Sequence, residues 1–106
     1  MKYCIQLDER DNVATVLARV EPGDTLEILN AHMVPQSTIL SAEGIPFAHK
    51  IGLRDIRAGE DVTKYGERIG RATRFIATGS YVHVHNVTSV EGTVNAKQNQ
   101  EQGAIG

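Results

Sequence analysis

The amino-acid sequence predicts a small all-β domain, and three observations carry that expectation. An apolar residue, two variable positions, a glycine, two variable positions and a second apolar residue form a pattern that occurs at Val20 to Leu26, Ile56 to Val62 and Ile76 to Val82. Strand-like alternation follows each glycine, Gly23, Gly59 and Gly79. Helix signals are weak, because glycines and β-branched residues interrupt every longer window.

A glycine placed between a turn and a strand gives the backbone access to positive φ. The chain is therefore expected to enter a strand by the same device at each copy. The copies are unevenly spaced, which argues against a solenoid and for a compact, barrel-like assembly of short strands.

Taken in order, the run Tyr3 to Leu7 opens as a strand and holds Cys4, the single cysteine, which reads as a small apolar strand residue. Asp11 to Ala18 is expected to form one or two helical turns, and Asp55 to Arg57 another. Between them stand the first glycine copy and His32, which has no polar partner in register and reads as structural. The third copy runs into Tyr81-Val82-His83-Val84-His85-Asn86.

A chain of 106 residues supports one core, placed here over residues 1–90. Residues 91–106 are polar and lack aromatics, so they bury too little apolar area to offset their ordering entropy and are expected to form a flexible tail. The net charge of −2 and a pI near 6.0 provide no cationic field for phosphate backbones, which disfavours nucleic acid as a partner. No apolar run approaches the roughly 18 residues of a membrane span, and no basic segment leads into an apolar one at the N-terminus. A soluble, cytoplasmic protein is the expectation, and short strands with exposed edges suit self-association.

The candidate chemistry lies in three places. At strand periodicity His83 and His85 leave one face, with Val82 and Val84 turned to the core, and a preorganised imidazole pair suits proton transfer or metal binding. The plainer alternative is two histidines on a solvated face, and two imidazoles are too few for a closed zinc site. His49-Lys50 is a basic dipeptide between apolar strand-like residues. Lys64, followed by Tyr65 and Gly66, takes the place that Val84 has in the third copy, and its ammonium could pair with a substrate carboxylate or simply be solvated. Asn86 suits a capping role at a strand end.

The ordered motifs Ala48-His49-Lys50-Ile51-Gly52-Leu53-Arg54-Asp55-Ile56-Arg57-Ala58-Gly59-Glu60-Asp61-Val62, Lys64-Tyr65-Gly66-Glu67-Arg68-Ile69-Gly70 and Tyr81 to Asn86 resemble the SAF-type domain of the altronate and galactarate dehydratase family. The resemblance spans roughly residues 2–90. It implies a β-clip fold and the small subunit of a hydroxy-acid lyase, a sugar-acid dehydratase acting with a separate large catalytic subunit. A (2R)-sulfolactate sulfo-lyase small subunit and a non-catalytic sugar- or partner-binding β-clip module are the alternatives. The family implies a divalent metal, Fe2+ or Mn2+. Carried onto this chain, the resemblance implies His83, His85 and Lys64 as catalytic groups, with His83 and His85 also as metal ligands. It gives His49, Lys50, Tyr65 and Asn86 to the sugar-acid substrate.

Overall fold

The computed structural model describes residues 1–89, and the tail expected over 91–106 lies outside them. The chain forms β1 (Lys2–Ile5), β2 (Val13–Val16), β3 (Thr25–Leu29), β4 (Pro35–Leu40), β5 (Lys50–Gly52), β6 (Asp61–Lys64), β7 (Glu67–Ala72), β8 (Tyr81–Val82) and β9 (Val87–Ser89). One sheet has the order β4-β3-β1-β2-β5-β8 and the other β6-β7-β9. Among the described residues only β1 and β3 pair in parallel.

The described residues hold no helix. The expected helical turns at Asp11 to Ala18 are replaced by β2, whose Val13, Thr15 and Val16 are β-branched and pair on both sides, with β1 and with β5. Asp55 to Arg57 is likewise non-helical, with Ile56 bridged to Ile76.

The glycine device is present as expected: φ is +89° at Gly23, +86° at Gly59 and +86° at Gly79. Each glycine is the third residue of a turn closed by an N–H to C=O bond, Asp24 to Glu21, Glu60 to Arg57 and Ser80 to Ala77, as in a type II turn. A fourth turn of the same kind had no glycine to reveal it. It runs Pro46-Phe47-Ala48-His49, closes with His49 N–H donating to Pro46 at 3.1 Å, and puts Ala48 at φ 71°. An alanine in that region costs roughly 1–2 kcal/mol.

The four turns pair two by two. Val20 and Ile45 exchange backbone hydrogen bonds of 2.9 Å, and Ile56 and Ile76 exchange bonds of 2.8 Å. The apolar residues flanking the first pair, Val20, Leu26, Ile45 and Ile51, belong to one buried cluster with Cys4, Ala14, Val16, Ile28 and Ile39. Those flanking the second, Ile56, Val62, Ile76 and Val82, belong to another with Val13 and Ala72. Burial of each such side chain contributes about 1.5–3 kcal/mol. Strand β2 serves both clusters through its alternating faces, Val13 to one and Ala14 and Val16 to the other.

Gly79 ties the two halves together. Its N–H donates to Gly52 at 2.8 Å and its carbonyl accepts from Ala42 at 2.9 Å. A Cβ there would run into the Leu40 carbonyl and come within 3.2 Å of Ala42 N, whereas a Cβ on Gly23 would meet nothing within 4 Å. Gly79→Ala is therefore expected to lower unfolding free energy by about 3 kcal/mol, combining backbone strain with backbone clash, and Gly23→Ala by only about 1 kcal/mol. Equal losses for both in urea denaturation would contradict this account of the turns.

Candidate functional site

Strands β5 and β8 pair antiparallel with Lys50 opposite Val82 and Ile51 opposite Tyr81. That register places the end of the fourth turn, His49 and Lys50, beside the start of the Tyr81 to Asn86 segment. In the first two turns the residue at the His49 position caps its own turn: Asp24 Oδ2 accepts from Glu21 N at 2.8 Å, and Glu60 Oε1 accepts from Arg57 N at 2.7 Å. The corresponding donor position in the fourth turn is Pro46, which has no N–H. The imidazole of His49 is thereby released from capping, and its Nδ1 lies 2.7 Å from the Tyr81 hydroxyl.

The expectation that His83 and His85 share a strand face is corrected by the structure. Strand β8 ends at Val82, and His83 to Asn86 form a turn with Asn86 N–H donating to the His83 carbonyl at 3.1 Å. Val84 is 80% exposed and not in the core. The cause is Asn86, which is buried and uses its side chain as a clip: Oδ1 accepts from His83 N and Nδ2 donates to the Tyr81 carbonyl, both at 2.9 Å. Asn86 thus has the capping role suited to its type, with both side-chain polar atoms bonded to backbone of the same segment.

Tyr81 gathers the histidines. Its ring centroid lies 5.6 Å from His49, 5.5 Å from His83 and 5.2 Å from His85, and it stacks on His83 with an interplanar angle of 11°. His49 and His83 are themselves 4.7 Å apart. Burial first, then the neighbouring His49, Lys50 and His85, pushes His83 below its ordinary pKa. Burial and then the Lys64 ammonium likewise lower Lys50. Lys50 and His83 face a recess of about 260 Å³ completed by Ile69, Val84, Val87 and Ser89.

Lys64 lies on the β6–β7 hairpin, close enough for its ammonium to act on Lys50. Tyr65 and Gly66 at the hairpin tip have φ of 59° and 73°, the signature of a type I′ turn, and Tyr65 is not among the residues lining the recess. Lys64 Nζ lies 5.2 Å from the centre of the Tyr65 ring, and Tyr65 is 64% exposed. Two buried polar residues hold this hairpin. Asp11 accepts from Tyr65 N at 3.0 Å and Gly66 N at 2.8 Å. Asn12 donates to the Asp61 carbonyl at 2.9 Å and accepts from Thr63 N at 2.8 Å. Sequence reasoning missed Asp11, Asn12 and Tyr81 as members of the site's framework. Local sequence places the adjacent Asp-Asn pair in a helical turn and Tyr81 at a strand start. His32 lies in the β3–β4 connection, where its N–H donates to Asn30 Oδ1 at 2.8 Å.

The donor set does not suit a metal ion. Among the described residues no group of three or more His, Cys, Asp or Glu is arranged to hold one. The charged neighbours acting on His83 are all basic, which disfavours a cation there and favours an anion. The described residues also contain no helix long and apolar enough to cross a membrane.

Short strands in mixed sheets, entered through positive-φ turns, define an all-β domain of the β-clip kind. The altronate/galactarate dehydratase SAF domain model matches residues 2–90, and the chain belongs to that family. It is 36% identical over 86 residues to the altronate dehydratase of Bacillus subtilis (strain 168), covering 81% of this chain and 16% of that enzyme. It is 33% identical over 86 residues to the galactarate dehydratase (L-threo-forming) of Escherichia coli (strain K12), covering 76% of this chain and 14% of that enzyme. The match to the (2R)-sulfolactate sulfo-lyase subunit alpha of Chromohalobacter salexigens is 37% over 83 residues, covering 76% of this chain and 86% of that subunit. The chain thus spans about a sixth of the dehydratases and most of the sulfo-lyase subunit.

The His83 shift has a testable sign. Just below pH 6.5 the unfolded chain binds a proton at this position that the folded chain resists, so this group's contribution to stability falls as pH drops from 6.5 towards its lowered folded value. An NMR titration is expected to give His83 a midpoint below 6.5, and sulfate bound beside Lys50 should move that midpoint up. A midpoint above 6.5 in sulfate-free buffer would contradict the basic surroundings described here.

Proposed function

We propose that this chain is the small subunit of a hydroxy-acid lyase, a sugar-acid dehydratase that acts together with a separate large catalytic subunit. The observation that carries the reading is the convergence of His49, Lys50, His83 and His85 around Tyr81 in a chain that matches the dehydratase SAF domain over residues 2–90. The relative covered to 86% is by its name a subunit, the (2R)-sulfolactate sulfo-lyase subunit alpha, which supports a domain that works with a separate partner.

Elimination of water from a hydroxy acid removes the proton α to the carboxylate, forms a carbon–carbon double bond and breaks the β carbon–oxygen bond. The departing oxygen then takes a proton to leave as water. Lys50 and Lys64 hold the carboxylate and offset charge as it builds up on it. His83, whose burial and basic neighbours disfavour its charged form, is suited to accepting a proton, and the exposed His85 to returning one. His49 and Tyr65 orient the acid, and Asn86 sets the turn that carries both imidazoles. The iron or manganese associated with the family finds no binding group among this chain's described residues, so no step here passes through it.

A second reading, the small subunit of a sulfo-lyase, is favoured by the 86% coverage of the sulfo-lyase subunit. The same cationic groups would then serve an acid that loses sulfite. The two separate cleanly in the complex of this chain with its co-purifying large chain: a dehydratase forms a keto acid from galactarate or altronate, and a sulfo-lyase releases sulfite from sulfolactate.

His83→Ala is expected to lower kcat by about 10²–10³, in line with loss of acid–base catalysis. Lys50→Met is expected to raise KM by tenfold or more through loss of the carboxylate contact. Wild-type turnover in His83→Ala and His85→Ala alike would sink the lyase assignment of these residues. Retained sugar-acid binding without conversion by the complex would make the domain a binding module.

A further inference from the structure

Tyr81 packs against the rings of His49, His83 and His85, and its hydroxyl lies 2.7 Å from His49 Nδ1. Its position is well fixed. It lies opposite Ile51 in the β5–β8 ladder, its N–H donates to Glu43 Oε2 at 3.3 Å, and its ring packs against the first apolar cluster.

The direction of the hydrogen bond follows from acidity. A phenol, with a pKa near 10, is a much better donor than a neutral imidazole N–H, and an unprotonated imidazole nitrogen is a much better acceptor than a phenol oxygen. The favoured arrangement is Tyr81 O–H donating to His49 Nδ1. Neutral His49 must then carry its proton on Nε2, on the ring edge away from Tyr81. A ring nitrogen that bears hydrogen is a donor and cannot act as a base until it gives that proton up.

The geometry points to Tyr81 as a positioning residue that locks His49 into the Nε2–H form, so that His49 presents a hydrogen-bond donor to an oxygen of the bound acid. This rests on the lyase reading above and sharpens it. His49 is the fixed donor, which leaves proton abstraction to the Tyr81-stacked His83 and proton return to His85. The release of His49 from turn capping by Pro46 is what makes the pairing available.

The test is a pair of measurements on the full chain and on its complex with the large subunit. In the full chain at pH 8, nitrogen-15 spectra are expected to show His49 Nδ1 as an unprotonated acceptor and Nε2 as protonated, with no second form. In Tyr81→Phe, which keeps the ring and removes the hydroxyl, the same signals should move to the averaged positions of a free imidazole. In the complex Tyr81→Phe is expected to lower kcat about tenfold or more with KM changed by less than twofold.

Protonated Nδ1 in the wild-type chain, or an unchanged His49 signal in Tyr81→Phe, would overturn the assignment. The wild-type spectrum decides the point even where the variant folds poorly. It requires no substrate, so a complex that converts neither acid would defeat the lyase reading while the His49 signals still confirm or refute the pairing.

Discussion

The pairing of β5 with β8 is the constraint on which both the fold and the site depend. Strand β5 emerges from the turn that carries Ala48, and its Ile51 fills one apolar cluster; β8 emerges from the turn at Gly79, and its Val82 fills the other. The ladder between them, together with β2, joins two cores that each have their own pair of turns. The candidate groups stand on this seam. His49 and Lys50 arrive with one half, Tyr81 and His83 with the other, and neither half alone contains the cluster.

The fourth turn departs from its siblings where the site needs it to. Two of the others place a carboxylate at the position after the positive-φ residue and consume it as a cap. The fourth has Pro46 in place of the capped N–H, Ala48 at φ 71° in place of glycine, and His49 in place of the carboxylate. Backbone strain at Ala48 costs a little stability at the point where the chain delivers an imidazole to the site, a pattern common at functional positions. The basic character of the neighbourhood has a similar cost. Lys50 is lowered by burial and Lys64, and His83 by burial and the groups around it; an anion in the recess would relieve both.

The all-β class and the three glycine turns were legible because each depends on a residue type with a local physical consequence. Gly23, Gly59 and Gly79 can adopt φ near +86° to +89° at little cost, and the apolar residues on either side of each are buried. The fourth turn was hidden because Ala48 adopts the same region without being glycine, held there by the Val20–Ile45 bridge and by its N–H bond to the Val16 carbonyl. Local sequence suggests helical turns where β2 lies, because its β conformation is imposed by β1 and β5 on either side. Periodicity puts His83 and His85 on one strand face, yet the Asn86 side chain, through bonds to His83 and Tyr81, bends that strand into a turn. The grouping of His49 and Lys50 with His83 and His85 came from the family resemblance; the register that brings them together, and the place of Tyr81 among them, required the fold.

The central claim is that this seam, and not another part of the surface, receives an acid. A competing feature is a groove of about 690 Å³ beside Arg54, Arg57 and Phe75, where two guanidinium groups are exposed. Titration of the isotopically labelled full chain with galactarate, followed by NMR at every side-chain amine, guanidinium and imidazole, compares the two directly. The account predicts saturable shifts at Lys50, Lys64, His49 and His83. Shifts confined to Arg54 and Arg57, with the histidine and lysine signals unmoved, would contradict it.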